Sequence, residues 1–259
     1  MRILFVADVV GRPGREAVET RLRPLREELA VDFCVLNGEN VADGVGITPK
    51  LADRLLAAGA DVVTLGNHVW RRREIVPYLS GSERVIRPGN LSARAPGRAV
   101  AVAPAADGTP VAVINLMGQL FLDVARGPFE VLDELVEEAR ARARVVVVDL
   151  HAEATSEKVA VARWLDGQVT AVFGTHTHVQ TNDARVQPRG TAAITDAGMT
   201  GPHDSVIGVV PDQAIGRMRT GMPVRFETAS GDVRIEGALV ECDAETGRAL
   251  SCEPVRVRV

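Results

Sequence analysis

The chain has 259 residues, of which 46% are hydrophobic and 25% are charged, and its formal net charge is −4. This composition is that of a globular protein, and it excludes a fibrous or largely disordered chain. The acidic balance argues against a broad, non-specific nucleic-acid surface, because such binding depends on cationic contacts to phosphate.

No apolar run approaches the roughly 20 residues that a membrane helix needs, and the N-terminus shows no signal-peptide pattern. We therefore expect a cytoplasmic protein with no membrane partner. The length is compatible with one large layered domain, and we expect a single domain over residues 1–259. The three cysteines, Cys34, Cys242 and Cys252, are expected to be reduced thiols, since disulfides rarely persist in a reducing compartment.

The first part of the chain alternates between apolar strands and helices. The predicted elements are a strand at 3–7, a helix at 13–29, a strand at 33–37, a helix at 49–58 and a strand at 61–65. This βαβαβ order implies a parallel sheet with right-handed crossovers.

The remainder combines further alternation with a β-rich C-terminal part. The predicted elements are β segments at 99–103 and 111–116, a helix at 129–143, a strand at 145–150, a helix at 156–165, a strand at 170–174 and β segments at 191–195, 223–227, 232–242 and 249–259. We expect an α/β fold in which two sheets pack together with helices outside, a four-layer α/β/β/α sandwich.

Polar side chains follow the predicted strands at the points where the strands end. They are Asp8, Glu39, Asn67 with His68, His151, and His176 with His178. The carboxyl ends of parallel strands meet at one edge of an α/β sheet, so we expect these groups to surround one cleft. Carboxylate, amide and imidazole donors around an open position suit a dinuclear metal hydrolase.

Two motifs carry a resemblance to a known family. Gly174-Thr175-His176-Thr177-His178 and Gly66-Asn67-His68 resemble signature blocks of the calcineurin-like metallophosphoesterases. The segments 8–11, 37–40, 149–158 and 195–202 narrow the resemblance to the YmdB-like branch of bacterial phosphodiesterases, over nearly the whole chain. Two positions depart from the wider superfamily in ways typical of this branch: Val10 stands where a histidine is usual, and Glu39 replaces a bridging aspartate. Arg71 departs from the branch itself, in which an acidic residue is expected at this position.

The resemblance implies a ligand set for two divalent ions. Asp8, Glu39, Asn40 and His178 would hold one ion, and Glu39, Asn67, His151 and His176 would hold the other, with Glu39 as the bridge. This mixed set suits Mn²⁺ or Fe²⁺, and also Zn²⁺, better than Ca²⁺ or Mg²⁺. His68, next to a ligand but not needed for coordination, is the predicted catalytic residue that protonates the leaving alkoxide.

The implied activity is metal-dependent hydrolysis of small phosphodiesters such as cyclic nucleotides or RNA-derived esters, by a hydroxide that bridges the metals. Two alternatives stay open: a dinuclear amidohydrolase or aminopeptidase, and a regulatory metal- or nucleotide-binding protein with little turnover. The sequence also leaves open a homo-oligomer, and whether Arg71 or His203 contacts the substrate.

Secondary expectations concern the surroundings of the site. Glu153, Glu157 and Lys158 follow His151 and are candidates for orienting its ring. We expect Glu157 and Lys158 instead to be solvated in the first turn of a helix and leave them out of the site. The segments 79–99, 117–128 and 198–206 are expected to shape the pocket.

Overall fold

The computed structural model describes residues 1–259 and contains two six-stranded sheets. The strands are β1 (Arg2–Val6), β2 (Phe33–Asn37), β3 (Val62–Thr64), β4 (Val100–Pro104), β5 (Pro110–Met117), β6 (Val145–His151), β7 (Ala171–Thr175), β8 (Arg185–Val186), β9 (Ala192–Ile194), β10 (Gly201–Asp204), β11 (Gly231–Cys242) and β12 (Ala249–Arg258). The helices are α1 (Gly11–Glu28), α2 (Pro49–Ala58), α3 (Ile75–Gly81), α4 (Leu132–Arg140), α5 (Thr155–Trp164) and α6 (Pro211–Thr220). None of the helices combines the length and apolar character needed to cross a membrane.

Each sheet combines a group of parallel strands with antiparallel strands. The first sheet has the order β10-β11-β1-β2-β3, with β12 also paired to β11, and β1, β2 and β3 are parallel. The second sheet has the order β4-β5-β6-β7-β9-β8, and its strands β5, β6, β7 and β9 are parallel. The candidate site residues lie at the carboxyl ends of β1, β2 and β3 in the first sheet and of β6 and β7 in the second.

The central strands are apolar on both faces, so each sheet must be covered on both sides, by helices on one side and by the other sheet on the other. In β1, Leu4 and Val6 pack in the core under α1 and α2, whereas Ile3 and Phe5 face the second sheet. A third core covers the outer face of the second sheet under α4 and α5. The order of layers is helix, sheet, sheet, helix, which confirms the predicted four-layer α/β/β/α sandwich.

The contact between the two sheets centres on aromatic stacking. The rings of Phe5 in β1 and Phe173 in β7 lie 4.6 Å apart at an interplanar angle of 17°. The core around them takes residues from both sheets, so neither sheet could bury its inner face alone. This shared core supports the proposal of a single domain.

The structure differs from the predicted elements in the middle of the chain and in the C-terminal part. Helices α3 and α6 were not predicted, and the predicted helix 129–143 is a 3-10 turn at Pro128–Glu130 followed by α4. The strand predicted at 223–227 is wrong, because this exposed segment pairs with no strand and only Thr228 forms an isolated bridge, to Val209. The three cysteines are free thiols.

Candidate metal centre

The strand ends place the predicted site residues around one cleft. Asp8 lies two residues after β1, Glu39 two residues after β2 and Asn67 three residues after β3. His151 is the last residue of β6, and His176 directly follows β7. The topology therefore brings donors as distant in sequence as Asp8 and His176, which are 168 residues apart, to the same rim.

One half of the cluster converges on a single ring nitrogen. The Nε2 atom of His151 lies 2.9 Å from Asn67 Oδ1, 3.0 Å from His176 Nδ1 and 3.1 Å from Glu39 Oε1. Glu39, His151 and His176 form a group whose ligand atoms all lie within 4.8 Å of one another. These are the distances expected when several donors face one small cation.

The other half contains Asp8, Asn40 and His178, with His68 beside it. His178 Nε2 lies 3.2 Å from Asn40 Nδ2 and 3.8 Å from Asp8 Oδ1. His68 Nδ1 lies 2.7 Å from Asn40 Oδ1 and 3.3 Å from Glu39 Oε1. The structure thus brings together all eight residues that the sequence singled out for metal binding and catalysis.

The donor atoms of the cluster are arranged to bind a cation, because two of the buried carboxylate oxygens have no hydrogen-bond partner within the protein. Asp8 Oδ1 and Glu39 Oε1 are buried and accept no hydrogen bond. Leaving such oxygens unpartnered is costly, and paired or metal-bound carboxylates are the usual reason that buried ones persist. Gly66 leaves the space open, because a Cβ at that position would clash with Glu39 and with the ring of His151.

The pKa values in the cluster reflect burial and close charges. Burial, followed by repulsion from His151, lowers the pKa of His176 to about 3. Burial also works to lower the pKa of His151, but the carboxylates of Glu39 and Asp8 outweigh it and raise that pKa to about 9. In the metal-free protein a proton on His151 therefore partly balances the carboxylates, and a cation that binds here would release it.

Neighbouring hydroxyl and carboxylate groups fix the orientation of His151. Thr175 Oγ1 donates to Asp149 Oδ1 at 2.7 Å, and it lies 2.9 Å from His151 Nδ1. Because that hydroxyl proton is already used, the oxygen accepts from His151 Nδ1–H. The lone pair of the neutral ring then lies on Nε2, the atom at the centre of the cluster.

The turn that carries His176 and His178 is strained and clamped from outside. The two residues have φ values of 97° and 63°, in a region that costs a non-glycine residue about 1–3 kcal/mol. Between them, Thr177 donates through both its backbone N–H and its hydroxyl to Asp196 Oδ2, at 3.1 and 2.6 Å. Lys158 Nζ donates to the same oxygen at 2.7 Å.

Lys158 and Glu157 were predicted to be solvated, and both predictions are wrong. Lys158 is 3% exposed and pairs with the buried Asp196, while Glu157 accepts from the backbone N–H of Gln119 at 2.8 Å. Glu153, which also lies outside the predicted ligand set, places Oε2 3.0 Å from His176 Nε2. One face of helix α5, which carries Glu157 and Lys158, is therefore buried beside the cluster, while its other face is exposed.

The Lys158→Met variant is expected to lose about 3–5 kcal/mol of unfolding free energy, because it leaves Asp196 buried without its counter-ion. Urea unfolding of the metal-free protein measures this. The matched control is Lys50→Met, which removes the only other lysine, an exposed residue at the start of α2. If both variants unfold at the same urea concentration, the buried pair contributes nothing to stability.

The cleft above the cluster has a volume of about 310 Å³ and is shaped by segments that the sequence did not indicate. Its floor contains Glu39, Asn40, His68, His176 and His178, and its sides come from residues 43–45, 207–209 and 226–228. The segments 79–99, 117–128 and 198–206 do not line it, so that prediction is wrong.

Arg71 and His203 lie away from the cleft. Arg71 is exposed and is absent from the lining. His203 is directed at its own strand and at β11, with Nδ1 3.1 Å from Gly201 O and Nε2 3.3 Å from Glu236 Oε2. Neither side chain lines the cavity in which a substrate would meet the cluster.

Comparisons with known proteins agree over the whole chain. The family described as YmdB-like protein matches residues 4–255. A Bacillus subtilis (strain 168) protein named 2',3'-cyclic-nucleotide 2'-phosphodiesterase is 43% identical over 257 residues, which cover 99% of this chain and 97% of that protein.

Two solved structures share the fold. A hypothetical protein from Thermus thermophilus superposes with a TM-score of 0.92 at 40% identity, covering 100% of this chain and 99% of its own. A Mycoplasma pneumoniae protein described as a novel phosphatase gives a TM-score of 0.91 at 33% identity, covering 100% of this chain and 93% of its own.

Proposed function

Because the chain belongs to the YmdB-like protein family, we propose that it is a dinuclear metal-dependent phosphodiesterase that hydrolyses nucleoside 2',3'-cyclic phosphates. The single observation that carries the proposal is the convergence of carboxylate, amide and imidazole donors on the floor of one cleft. Breaking the bond to the 2' oxygen of such a substrate leaves a nucleoside 3'-phosphate.

The charge of the cleft supports the need for metal ions. Its lining includes the carboxylates of Glu39, Asp43 and Glu227 and contains no lysine or arginine. An anionic phosphodiester would be repelled from such a surface unless bound cations reversed its charge. The proposed ligands are those implied by the sequence: Asp8, Asn40 and His178 for one ion, Asn67, His151 and His176 for the other, and Glu39 between them.

When bound, the ions would supply Lewis-acid stabilisation of the phosphoryl oxygens and an activated water. The nitrogen and oxygen donors favour Mn²⁺ or Fe²⁺, with Zn²⁺ as a further candidate. Asp149 and Thr175 fix the orientation of the His151 ring, and Asp196 holds the turn between His176 and His178, so little reorganisation is needed when an ion binds.

His68 is the proposed proton donor to the leaving oxygen. Its Nδ1 lies 2.7 Å from Asn40 Oδ1, a carbonyl oxygen that can only accept, so Nδ1 carries a proton. The Glu39 carboxylate, with Oε1 3.3 Å from the same nitrogen, would stabilise a positive charge on the ring. Nε2 is then the atom that delivers a proton to the alkoxide in the cleft.

The absence of basic side chains also limits the size of the substrate. Each additional phosphate of an oligonucleotide would need its own cationic contact, and the lining of the cleft offers none. Among RNA-derived esters we therefore expect mononucleoside 2',3'-cyclic phosphates to be preferred over oligonucleotides with internal diesters.

The test is turnover by the full-length protein after metal removal and reloading with Mn²⁺ or Fe²⁺. We expect conversion of 2',3'-cyclic AMP to 3'-AMP, followed by ³¹P NMR, and hydrolysis of bis(p-nitrophenyl) phosphate. Turnover of aminoacyl anilides with no ester hydrolysis would instead indicate an amidohydrolase or aminopeptidase. Nucleotide binding without hydrolysis of any ester would indicate a regulatory binding protein.

A further inference from the structure

One side of the cleft is apolar and has no part in the proposed chemistry. We call it the apolar wall, formed by Val45, Ile207, Val209 and Phe226. Val45 and Phe226 are each 39% exposed and Ile207 is 53% exposed. Large apolar side chains left open beside a polar floor usually mark the place where part of a ligand is buried.

The apolar wall is held together by backbone hydrogen bonds between its two main segments. Val210 N–H donates to Glu227 O at 3.1 Å, and Ala229 N–H donates to Gly208 O at 2.9 Å. Gln213 of α6 adds two bonds, since its Oε1 accepts from Glu227 N–H at 2.8 Å and its Nε2 donates to Glu227 Oε2 at 3.1 Å. The backbone next to Phe226 is therefore held in place by hydrogen bonds to residues 208–213.

The apolar wall is also joined to the polar floor. Ile207 has a φ of 47°, which is rare for a β-branched residue, and its carbonyl oxygen lies 3.0 Å from His178 Nδ1. The same unusual conformation thus fixes the ring of a proposed ligand and leaves the Ile207 side chain at the wall. The apolar wall is therefore connected directly to His178, one of the proposed metal ligands.

The Phe226 ring is held in place on one side. The guanidinium carbon of Arg217 lies 5.1 Å from the ring centroid, within the range of a cation–π contact. A partly exposed aromatic ring that lines a cleft of this size is suited to stacking, because every base has a π-face.

We propose that the apolar wall is the nucleobase subsite and that Phe226 is its stacking residue. The inference rests on the proposed function. A nucleoside cyclic phosphate has the same division as the cleft, with a charged diester at one end and a flat base at the other. Stacking is tolerant of base identity, so all four nucleotides are accepted, with purines bound more tightly than pyrimidines.

The Phe226→Ala variant tests this with two substrates that share the five-membered cyclic diester. These are 2',3'-cyclic AMP and glycerol 1,2-cyclic phosphate, which has no base. We expect KM for cyclic AMP to rise roughly tenfold, the scale of a lost base–aromatic stack, with kcat unchanged. Turnover of the glycerol ester stays at the wild-type value, and Phe226→Tyr keeps the wild-type KM for both.

Met218→Ala is the matched control, since it removes a 79% exposed apolar side chain of α6 that does not line the cleft. An equal effect of Phe226→Ala on both substrates, or no effect on either, overturns the base subsite while wild-type turnover of the glycerol ester still supports the proposed function. If the wild-type protein hydrolyses neither ester, the proposed function fails and the base subsite fails with it.

Discussion

Replacing Glu39 with glutamine is expected to empty the metal centre and to lower turnover by on the order of 10³-fold, the scale of losing several kcal/mol of metal-derived transition-state stabilisation. The substitution keeps the size of the side chain. It removes the negative charge that two neighbouring cations would share, and a carboxamide offers a single acceptor oxygen in place of two.

The surroundings of Glu39 make the effect specific to metal binding. The carboxylate is 1% exposed; its Oε2 accepts from His68 N–H at 3.0 Å, and its Oε1 accepts no hydrogen bond. The carboxamide oxygen of the variant can keep the contact to His68 N–H, so the fold is expected to survive. What is lost is the free oxygen that faces His151.

Elemental analysis of the purified variant, combined with its Mn²⁺-dependent turnover, measures both expectations. Glu245→Gln, at an exposed turn residue, is the control for loss of one negative charge elsewhere on the chain. Two ions retained at wild-type affinity in Glu39→Gln would remove Glu39 from the ligand set and leave the proposed bridge without support.

The position of the site could be predicted from sequence because it depends on topology alone. Parallel strands end at a common edge, so a polar residue at a strand's end, or up to three positions beyond it, is placed there without knowledge of the loops. Asp8, Glu39, Asn67, His151 and His176 all obey this rule. The two-sheet fold follows from the same strands, which are apolar on both faces.

The support of the site could not be predicted because it depends on tertiary partners. A lysine in the first turn of a helix is usually solvated, and Lys158 is buried only because Asp196, 38 residues later, lies within 2.7 Å of it. The sequence of α5 alone does not indicate that Lys158 will pair with Asp196. The same applies to Thr175, whose role depends on Asp149 and His151 from the neighbouring strand.

The apolar wall was missed for a different reason. Val224 and Phe226 alternate with polar residues, which predicts a strand, but alternation reports only that one side of a segment is apolar. Here the segment pairs with no strand, and Phe226 lines the cleft. Helix α6 was also missed; it buries only Ala214, although Pro211 at its start and Gly221 at its end are helix boundary signals.

His68→Ala is expected to keep both metal ions and to lower kcat for 2',3'-cyclic AMP by about 10²- to 10⁴-fold, the usual contribution of general acid catalysis. The backbone of His68 contacts a proposed metal ligand, whereas its side chain is the proposed proton donor. Its contact to Glu39 Oε2 uses the backbone N–H, which alanine retains, whereas its side chain is 26% exposed at the floor of the cleft.

The dependence on the leaving group distinguishes acid catalysis from a loss of structure. The 2' alkoxide is a poor leaving group and needs a proton, whereas p-nitrophenolate leaves without one. The rate loss in His68→Ala should therefore be large for the cyclic nucleotide and small for bis(p-nitrophenyl) phosphate, while His203→Ala, which alters a histidine outside the cleft, should change neither. Equal losses for both esters would exclude proton donation by His68, and a loss of bound metal would make it a ligand instead.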